Sequence, residues 1–514
     1  MKLGELLSGV EVLQLSGAGA QEIASVAYDS RRVEPGSVFV AMRGEKTDGN
    51  RYVFDAAGRG AAAIVSELPR PWHAKWASVY AGQEITPRDV PAQVAWVQVR
   101  EARKALAIAG ANFYGQPARA LELVGITGTN GKTTTAYLVD SVLRAAGASS
   151  GLMGTIVYRS PRGAQVAKNT TPESLDLQRF LAEVRDAGGT HAVLEVSSHA
   201  LAMQRVWGCR FAAAVFTNLT RDHLDFHKNF ENYFAAKRSL FEGTGAGAPA
   251  VGVVNADDPY GKQLAGMAQR TITYGLENGA DVKARKFALS FSGLEFTAQT
   301  PAGKMEIRSS LVGKINAYNI LATIAAGIGL GLSADAIRAG IAQLEAVPGR
   351  FERVEMGQPF LVIVDYAHTD DALRNLLQTT REANPASRII TVFGCGGDRD
   401  RTKRPLMGEA AGRMSQLVVL TCDNPRSEDP LRIINDVVVG LQKTEVKYLV
   451  EVDRSRAIEL AMHNAQPGDI VLLAGKGHET YQILRDRTMD FDDRQEAREC
   501  LRRMGYSSRN GRTG

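Results

Sequence analysis

One segment, residues 121–146, constrains the fold more than any other. The apolar run 121–126 meets Thr127-Gly128-Thr129-Asn130-Gly131-Lys132-Thr133-Thr134 and passes straight into a helix-like stretch, 135–146. Strand, glycine loop and helix start in that order predict a β-to-α unit of a parallel sheet. The glycines let backbone N–H groups approach phosphate oxygens closely, at the positive end of the helix dipole. Lys132 can reach the β and γ phosphates of a nucleotide, and the Thr133 hydroxyl can hold Mg²⁺. The segment therefore predicts ATP binding through Gly128, Thr129, Asn130, Gly131, Lys132, Thr133 and Thr134. It departs from the strict pattern G-x-x-x-x-G-K-S/T, because Ile126 stands five positions before Gly131, so the flanking strand and helix carry the assignment. A glycine-rich turn without a ligand is the alternative.

At 514 residues the chain exceeds what one hydrophobic core fills, and about three domains are expected. With 44% hydrophobic and 23% charged residues it reads as globular, apart from a polar tail, 507–514, expected to fray. The net charge of +5 is small for the length and gathers in no block, so nucleic-acid binding is not expected. Cys209, Cys395, Cys422 and Cys500 have neither C-x-x-C spacing nor paired histidines, which argues against a disulfide framework or structural metal and for a reducing compartment. Residues 1–5 carry no basic-then-apolar leader, and the longest apolar run, 320–332, is too short and glycine-rich to span a bilayer. A monomeric cytoplasmic protein without membrane insertion is expected.

The fold class read from the pattern is α/β in three domains. Residues 1–117 hold strand candidates at 38–42 and 62–65 and end in a helix around 100–113, as a smaller N-terminal α/β domain. Within it, the proline-rich stretch 69–91 has no clear period and reads as a surface insertion. In residues 118–347, strands at 121–126, 192–196, 213–217 and 250–254 alternate with helices, predicting a parallel sheet of the P-loop ATPase type with helices on both faces. Pro348-Gly349 breaks the chain, and residues 348–514 repeat the alternation with strands at 360–364, 388–393, 416–421, 447–452 and 469–474, a Rossmann-like domain.

Open α/β sheets bind ligands beyond the carboxyl ends of their strands, and the unusual residues fall there. They include the glycine loop, Glu195 to His199, Asn218 with His223 and Asp225, and Asp365 to His368. Gly394 to Arg399, Asp423 to Arg426, and Gly475 to Glu479 complete the set, and seven clusters on two sheets suggest one site between two domains. Glu195 can complete Mg²⁺ coordination beside Thr133; a surface acid at a strand end is the alternative. His223 can reach a second metal or a phosphate, although a lone histidine is ambiguous. Lys237, by composition alone, reads as solvated. Arg399 beside Asp398, and Arg426 after Asp423-Asn424, pair planar cations that grip carboxylates with acceptors for an ammonium group. That suits an amino acid, and beside an ATP γ phosphate it implies ATP-driven amide formation. Salt bridges between domains are the alternative for both arginines.

From Asp29-Ser30-Arg31 to Gly475-Lys476-Gly477-His478-Glu479 the chain resembles the Mur ligases, ATP-dependent amide-forming enzymes of peptidoglycan precursor synthesis. In that family Asp423-Asn424-Pro425-Arg426 is similar to the motif of the diaminopimelate-adding branch. The resemblance implies a UDP-binding N-terminal domain using Ser30, Glu45, Lys46 and Thr47, with the nucleotide sugar peptide along Asn169, Thr170, Thr171, Ser197 and Arg205. It implies that Lys237 is carbamylated by CO₂ and joins Thr133, Glu195 and His223 around Mg²⁺, with Lys132, Glu195, His223 and Lys237 catalytic. Asn316, Arg350 and Asp365 would contact ATP. Arg399, Asp423, Asn424, Pro425, Arg426, Gly475 and Glu479 would hold meso-2,6-diaminopimelate. The implied acceptor is UDP-N-acetylmuramoyl-L-alanyl-D-glutamate, activated as an acyl phosphate. Met203 stands where relatives commonly have glutamine, with Gln204 next to Arg205, and Ile315 where many have histidine. A superfamily ligase for lysine or glutamate, and a non-catalytic ATP switch, are the rival readings.

Overall fold

The computed structural model describes residues 1–507 apart from positions 18, 45–46, 72–89 and 278. Most of the stretch 69–91 therefore lies outside the described residues. Three large sheets order the chain. The first runs Val12–Ser16, Ala95–Val99, Ala63–Ser66, Ser37–Val40, Ser25–Ala27, parallel except for its first pair. Ser37–Val40 and Ala63–Ser66 are buried at every position because cores cover both faces. Alternation sends Val38, Val40, Ala63 and Val65 into one core and Phe39 and Ile64 into the other.

The central sheet has eleven strands and is mixed, which corrects the expectation of a parallel sheet. Its parallel body runs Val282–Ser290, Arg270–Gly275, Val251–Asn255, Phe211–Phe216, Glu122–Thr127, His191–Glu195, Ser150–Met153. Gly293–Thr300 and Gly303–Ser309 extend one edge antiparallel, and Val157–Ser160 and Gly163–Val166 the other. Turns at 161–162, 291–292 and 301–302 are too short for a crossover helix and can join only antiparallel neighbours. Gly303–Ser309 escapes a search for apolar runs because it exposes a face in strict alternation from residue 304 to 309, and Gly163–Val166 because it is exposed throughout.

Helices Lys132–Ala145 and Lys314–Gly329 cover one face of this sheet through Leu138, Val142, Ile320 and Ile324. Ser174–Asp186 and Phe230–Glu242 cover the other through Leu177, Leu181, Phe234 and Leu240. The N-terminal unit rests helix Ala102–Phe113 on Ser174–Asp186, where the Tyr28 hydroxyl donates to Asp176. Among the described residues no helix is long and apolar enough to cross a membrane.

The third sheet runs Glu352–Arg353, Leu361–Asp365, Ile470–Ala474, Ile389–Phe393, Leu417–Leu420, Lys447–Val450, parallel after the first pair. The last helix, Asp493–Arg503, is fastened to it by a fully buried two-pronged pair. Arg454 donates to both Asp493 oxygens at 2.7 Å and to the Ala474 carbonyl at 3.0 Å. Removing one partner leaves a buried charge unpaired, so Asp493→Ala should destabilise this unit by about 3–5 kcal/mol. Urea unfolding followed by circular dichroism checks this, and an unchanged midpoint would refute it.

Candidate active site

Strand Glu122–Thr127 ends in the middle of its sheet and turns through Gly128 to Gly131 into helix Lys132–Ala145. Only glycine fits at the two bends. Gly131 has φ 86° and a side chain there would meet Asn319 Oδ1 at 2.4 Å; at Gly128, φ 148°, it would meet Thr217 Oγ1 at 1.8 Å. The next strand pins the loop. Thr129 N–H donates to the Asn218 carbonyl (2.9 Å), Asn130 N–H to Asn218 Oδ1 (2.9 Å), and the Thr217 hydroxyl to the Asn130 carbonyl (2.6 Å).

Lys132 Nζ donates to the carbonyls of Gly128 (2.9 Å) and Thr129 (2.7 Å). Lys237 Nζ reaches the same Gly128 carbonyl at 2.7 Å. Lys237 is buried, which corrects its reading as a solvated residue. The signal was periodicity: Tyr233, Lys237, Leu240 and Phe241 form one buried stripe of helix Phe230–Glu242. Burial, and then the Lys132 charge, pushes the Lys237 amine well below the usual lysine range; burial also lowers Lys132.

Glu195 is 1% exposed, which removes the surface-acid alternative. It accepts from the Thr133 hydroxyl (2.9 Å), the Thr155 N–H (2.9 Å) and the Thr155 hydroxyl (3.1 Å). Arg350 donates to Thr133 Oγ1 at 3.3 Å and lies 4.5 Å over the Tyr366 ring. Asp365 accepts the N–H groups of Phe351 (2.7 Å) and Ala367 (2.9 Å), and burial raises it. Asn316 is buried between the Val312 carbonyl and Asn319. The loop from Thr129 to Thr134, Glu195, Asn316, Arg350 and Asp365 line a cleft of about 250 Å³. Asn130 Nδ2 donates across the domains to Asp371 at 2.8 Å, and Arg221 to Thr402 at 2.7 Å.

A second cleft of about 590 Å³ adjoins it, sharing Asp222, His223, Tyr366 and His368. Its lining includes Arg399, Asp423, Asn424, Arg426, Gly475 and Glu479, from the carboxyl ends of three strands. Among the described residues neither Arg399 nor Arg426 forms an ion pair. Their contacts are to carbonyls, Arg426 to Gly397 (2.8 Å) and Arg399 to Asp398 (3.1 Å), so nothing supports salt bridges between domains. Asp398, read from the sequence as an ammonium acceptor, does not line this cleft. Its carboxylate takes the Ser427 N–H (3.2 Å) and hydroxyl (2.7 Å), tying together loops 29 residues apart. Asp423 and Glu479 remain as acceptors. Pro425 is buried and its carbonyl sits where a side chain on Gly397 would lie.

His223, at φ 53°, lies 3.3 Å from Asp222, and burial lowers its imidazole to about 3, so the ring is neutral. Among the described residues no three His, Cys, Asp or Glu side chains converge as a metal cage. The Thr133 hydroxyl with Glu195 could hold Mg²⁺, which takes one or two carboxylates and draws its other oxygens from phosphate and water.

Of the residues expected for the nucleotide sugar, Thr170 and Ser197 line the first cleft. Thr171 donates to the Glu195 carbonyl (2.7 Å) and Arg205 to the Thr171 carbonyl (2.9 Å), while Asn169 accepts from Tyr158. Arg205 and Arg103 both stand 3.4 Å from Glu173, continuing this strip to the N-terminal unit. Ser30, buried in the turn Ser30–Arg32, and Thr47, exposed beside Tyr52, line neither cleft. Glu45 and Lys46 lie outside the described residues. Sequence reasoning placed Tyr366 and His368 in a strand-end cluster without giving them a role, and it missed Asp222 and Lys403 as lining.

Fold and clefts together define a three-unit α/β protein with a phosphate-type loop facing a second pocket of mixed charge. Residues 22–114 match the Mur ligase family catalytic domain, 126–327 the Mur ligase middle domain, and 349–477 the Mur ligase glutamate ligase domain. The chain belongs to the Mur ligase family. It is 54% identical over 509 residues, 98% of this chain and 99% of the other, to the UDP-N-acetylmuramoyl-L-alanyl-D-glutamate--2,6-diaminopimelate ligase of Solibacter usitatus. It is 44% identical to the ligase of that name from Geobacter metallireducens, over 98% of this chain and 99% of the other. A solved structure of a ligase of that name aligns with TM-score 0.65 and 31% identity over 99% of this chain and 100% of the other.

Burial holds several imidazoles neutral: His368 at about 4, with the Lys403 charge adding, His227 at about 4 beside His199, and His478 at about 3 beside Arg350. The unfolded chain titrates near 6.5 and so binds more protons than the native state below that pH. These groups should make stability fall as pH drops from about 6.5 and level off below about 3. Denaturant midpoints measured across that window test this; a midpoint flat between pH 7 and 4, with carboxylate effects matched by a His368→Gln control, would refute it.

Proposed function

We propose that the chain is an ATP-dependent ligase that joins meso-2,6-diaminopimelate to UDP-N-acetylmuramoyl-L-alanyl-D-glutamate, releasing ADP and phosphate. The observation that carries this reading is the pair of adjoining clefts, one built for phosphate and one for a zwitterion, sharing Asp222, His223, Tyr366 and His368. The names of the relatives support the same pair of substrates. Residues 1–117 would bind the UDP group, 118–347 ATP and the peptide, and 348–514 the amino acid. The protein would act as a cytoplasmic monomer, and its four cysteines are buried free thiols.

In this reading Lys132 leaves the carbonyls of Gly128 and Thr129 for the β and γ phosphates, while Arg350 and the loop N–H groups orient them. The free side-chain carboxylate of the D-glutamyl residue takes the γ phosphoryl group, and ADP leaves. The diaminopimelate amine attacks that acyl phosphate, and phosphate leaves as the amide forms. Mg²⁺ near Thr133 and Glu195 supplies positive charge against the phosphate oxygens. Lys237 fits carbamylation: burial, and then the Lys132 charge, pushes its amine well below the usual lysine range toward the neutral form, which is the form that adds to CO₂, losing one proton. The product is an anion beside Lys132, which relieves the repulsion between the two lysines.

ADP release against a panel of amino acids tests the reading. Release should require both the acceptor nucleotide and meso-diaminopimelate; release without either would mark an ATP switch instead. Arg426→Ala should lower kcat/KM for diaminopimelate by roughly one to two powers of ten, the worth of a charge-assisted hydrogen bond, and leave the poor use of lysine unchanged. Equal losses for both amino acids would assign Arg426 to the scaffold. Lys237→Ala should be nearly inactive and partly recover in added formate or acetate, and a variant with normal rate and Mg²⁺ dependence would refute the carbamate.

A further inference from the structure

Lys476 follows the strand Ile470–Ala474, and its side chain is fully buried. It does not line the second cleft, but three residues it touches do. Its Nζ stands 3.3 Å from Asp423 Oδ1, 3.3 Å from Glu479 Oε2 and 3.3 Å from Asn424 Oδ1, and donates to the Tyr481 carbonyl at 2.8 Å. Asn424 in turn donates to the same Glu479 oxygen at 2.9 Å and accepts the Ile483 N–H at 2.9 Å. Asp423 is 7% exposed, and its Oδ1 has no hydrogen-bond partner.

We propose that Lys476 is a positioning residue for the amino-acid substrate: its buried ammonium neutralises one of the two carboxylates of Asp423 and Glu479. The same contacts fix both acids, with Asn424, in the geometry that receives the substrate's ammonium group. This rests on the reading of the second cleft as the amino-acid site. Two acids and one lysine sum to a single negative charge, which matches one ligand ammonium. Without the lysine, two neighbouring buried carboxylates cannot both stay ionised. One would take up a proton and turn from acceptor to donor, and Glu479, already raised by burial and by Asp423, is the one to do so. Arg399 and Arg426 cannot substitute, since they line the cleft and their charges are placed for a carboxylate.

The test is steady-state kinetics of the full-length enzyme with ATP, acceptor nucleotide and meso-diaminopimelate. Lys476→Met should raise the KM for diaminopimelate on the order of thirtyfold, the loss of a charge-assisted contact, with the KM values for ATP and acceptor within about threefold of the parent. In a cycle with Glu479→Gln, the double variant should be no worse than the worse single one, because both act on the same ammonium site. A parallel rise of all three KM values, or additive losses, would overturn the proposal. If Lys476→Met gives no cooperative melt, Lys476→Gln, which can still donate to the Tyr481 carbonyl, carries the same expectation. Failure of both to fold would also overturn it, by showing a scaffold role. A parent enzyme without diaminopimelate-dependent ADP release would instead sink the proposed function itself.

Discussion

Two lysine amines meet at one carbonyl oxygen, that of Gly128, and the central unit is organised around the cost of that meeting. The distances, 2.9 and 2.7 Å, leave no room for water between each amine and its acceptor. Burial pushes both amines toward the neutral form, and for Lys237 the Lys132 charge adds to it. The site is electrostatically unfinished as it stands. An anion at the loop would relieve the strain, and a phosphate chain brings both charge and acceptors to the N–H groups at the helix start. Glu195 relieves it only in part: its charge raises Lys132 against the larger effect of burial, while its oxygens are held by Thr133 and Thr155.

Strand polarity then decides where everything else can stand. The loop, Glu195 and Asn218 follow parallel strands of one sheet, and Asp365, Gly394, Asp423 and Gly475 follow or close upon those of the other. Each sheet alone offers a row of loops along one edge. The carboxyl edges face each other, held by Asn130 on Asp371 and Arg350 on Thr133, so the rows become opposite walls of one cavity system.

This explains what was legible in the sequence. Strands buried on both faces read as unbroken apolar runs, and their carboxyl ends can be found by inspection, so the glycine loop, Glu195 and the Asp423 to Arg426 segment stood out. Among the outer strands of the central sheet, Gly303–Ser309 did not, because it alternates and exposes one face, nor did Gly163–Val166, which is exposed throughout. Lys237 was misread because composition ignores its place on a buried stripe. Asp398 was misread because its partner, Ser427, lies 29 residues away. The contacts of Asn130 with Asp371 and of Arg350 with Thr133 join residues 241 and 217 positions apart, and no local pattern encodes them.

The charge pattern also keeps the two clefts from exchanging ligands. A zwitterion in the first would meet Lys132 and Arg350, with only Asp222 of the shared wall as an acid to take its ammonium. Glu195 is committed, and Asp365 is raised by burial and capped by two N–H groups. A phosphate chain in the second would meet Arg399 and Arg426, but with Asp423 and Glu479 close by, and the repulsion would oppose the attraction. On the proposed assignment, charge rather than size would keep a phosphate chain out of the second cleft, since that cleft is the larger. The shared wall of Asp222, His223, Tyr366 and His368 carries two imidazoles held neutral by burial, so it adds no positive charge that would blur the boundary.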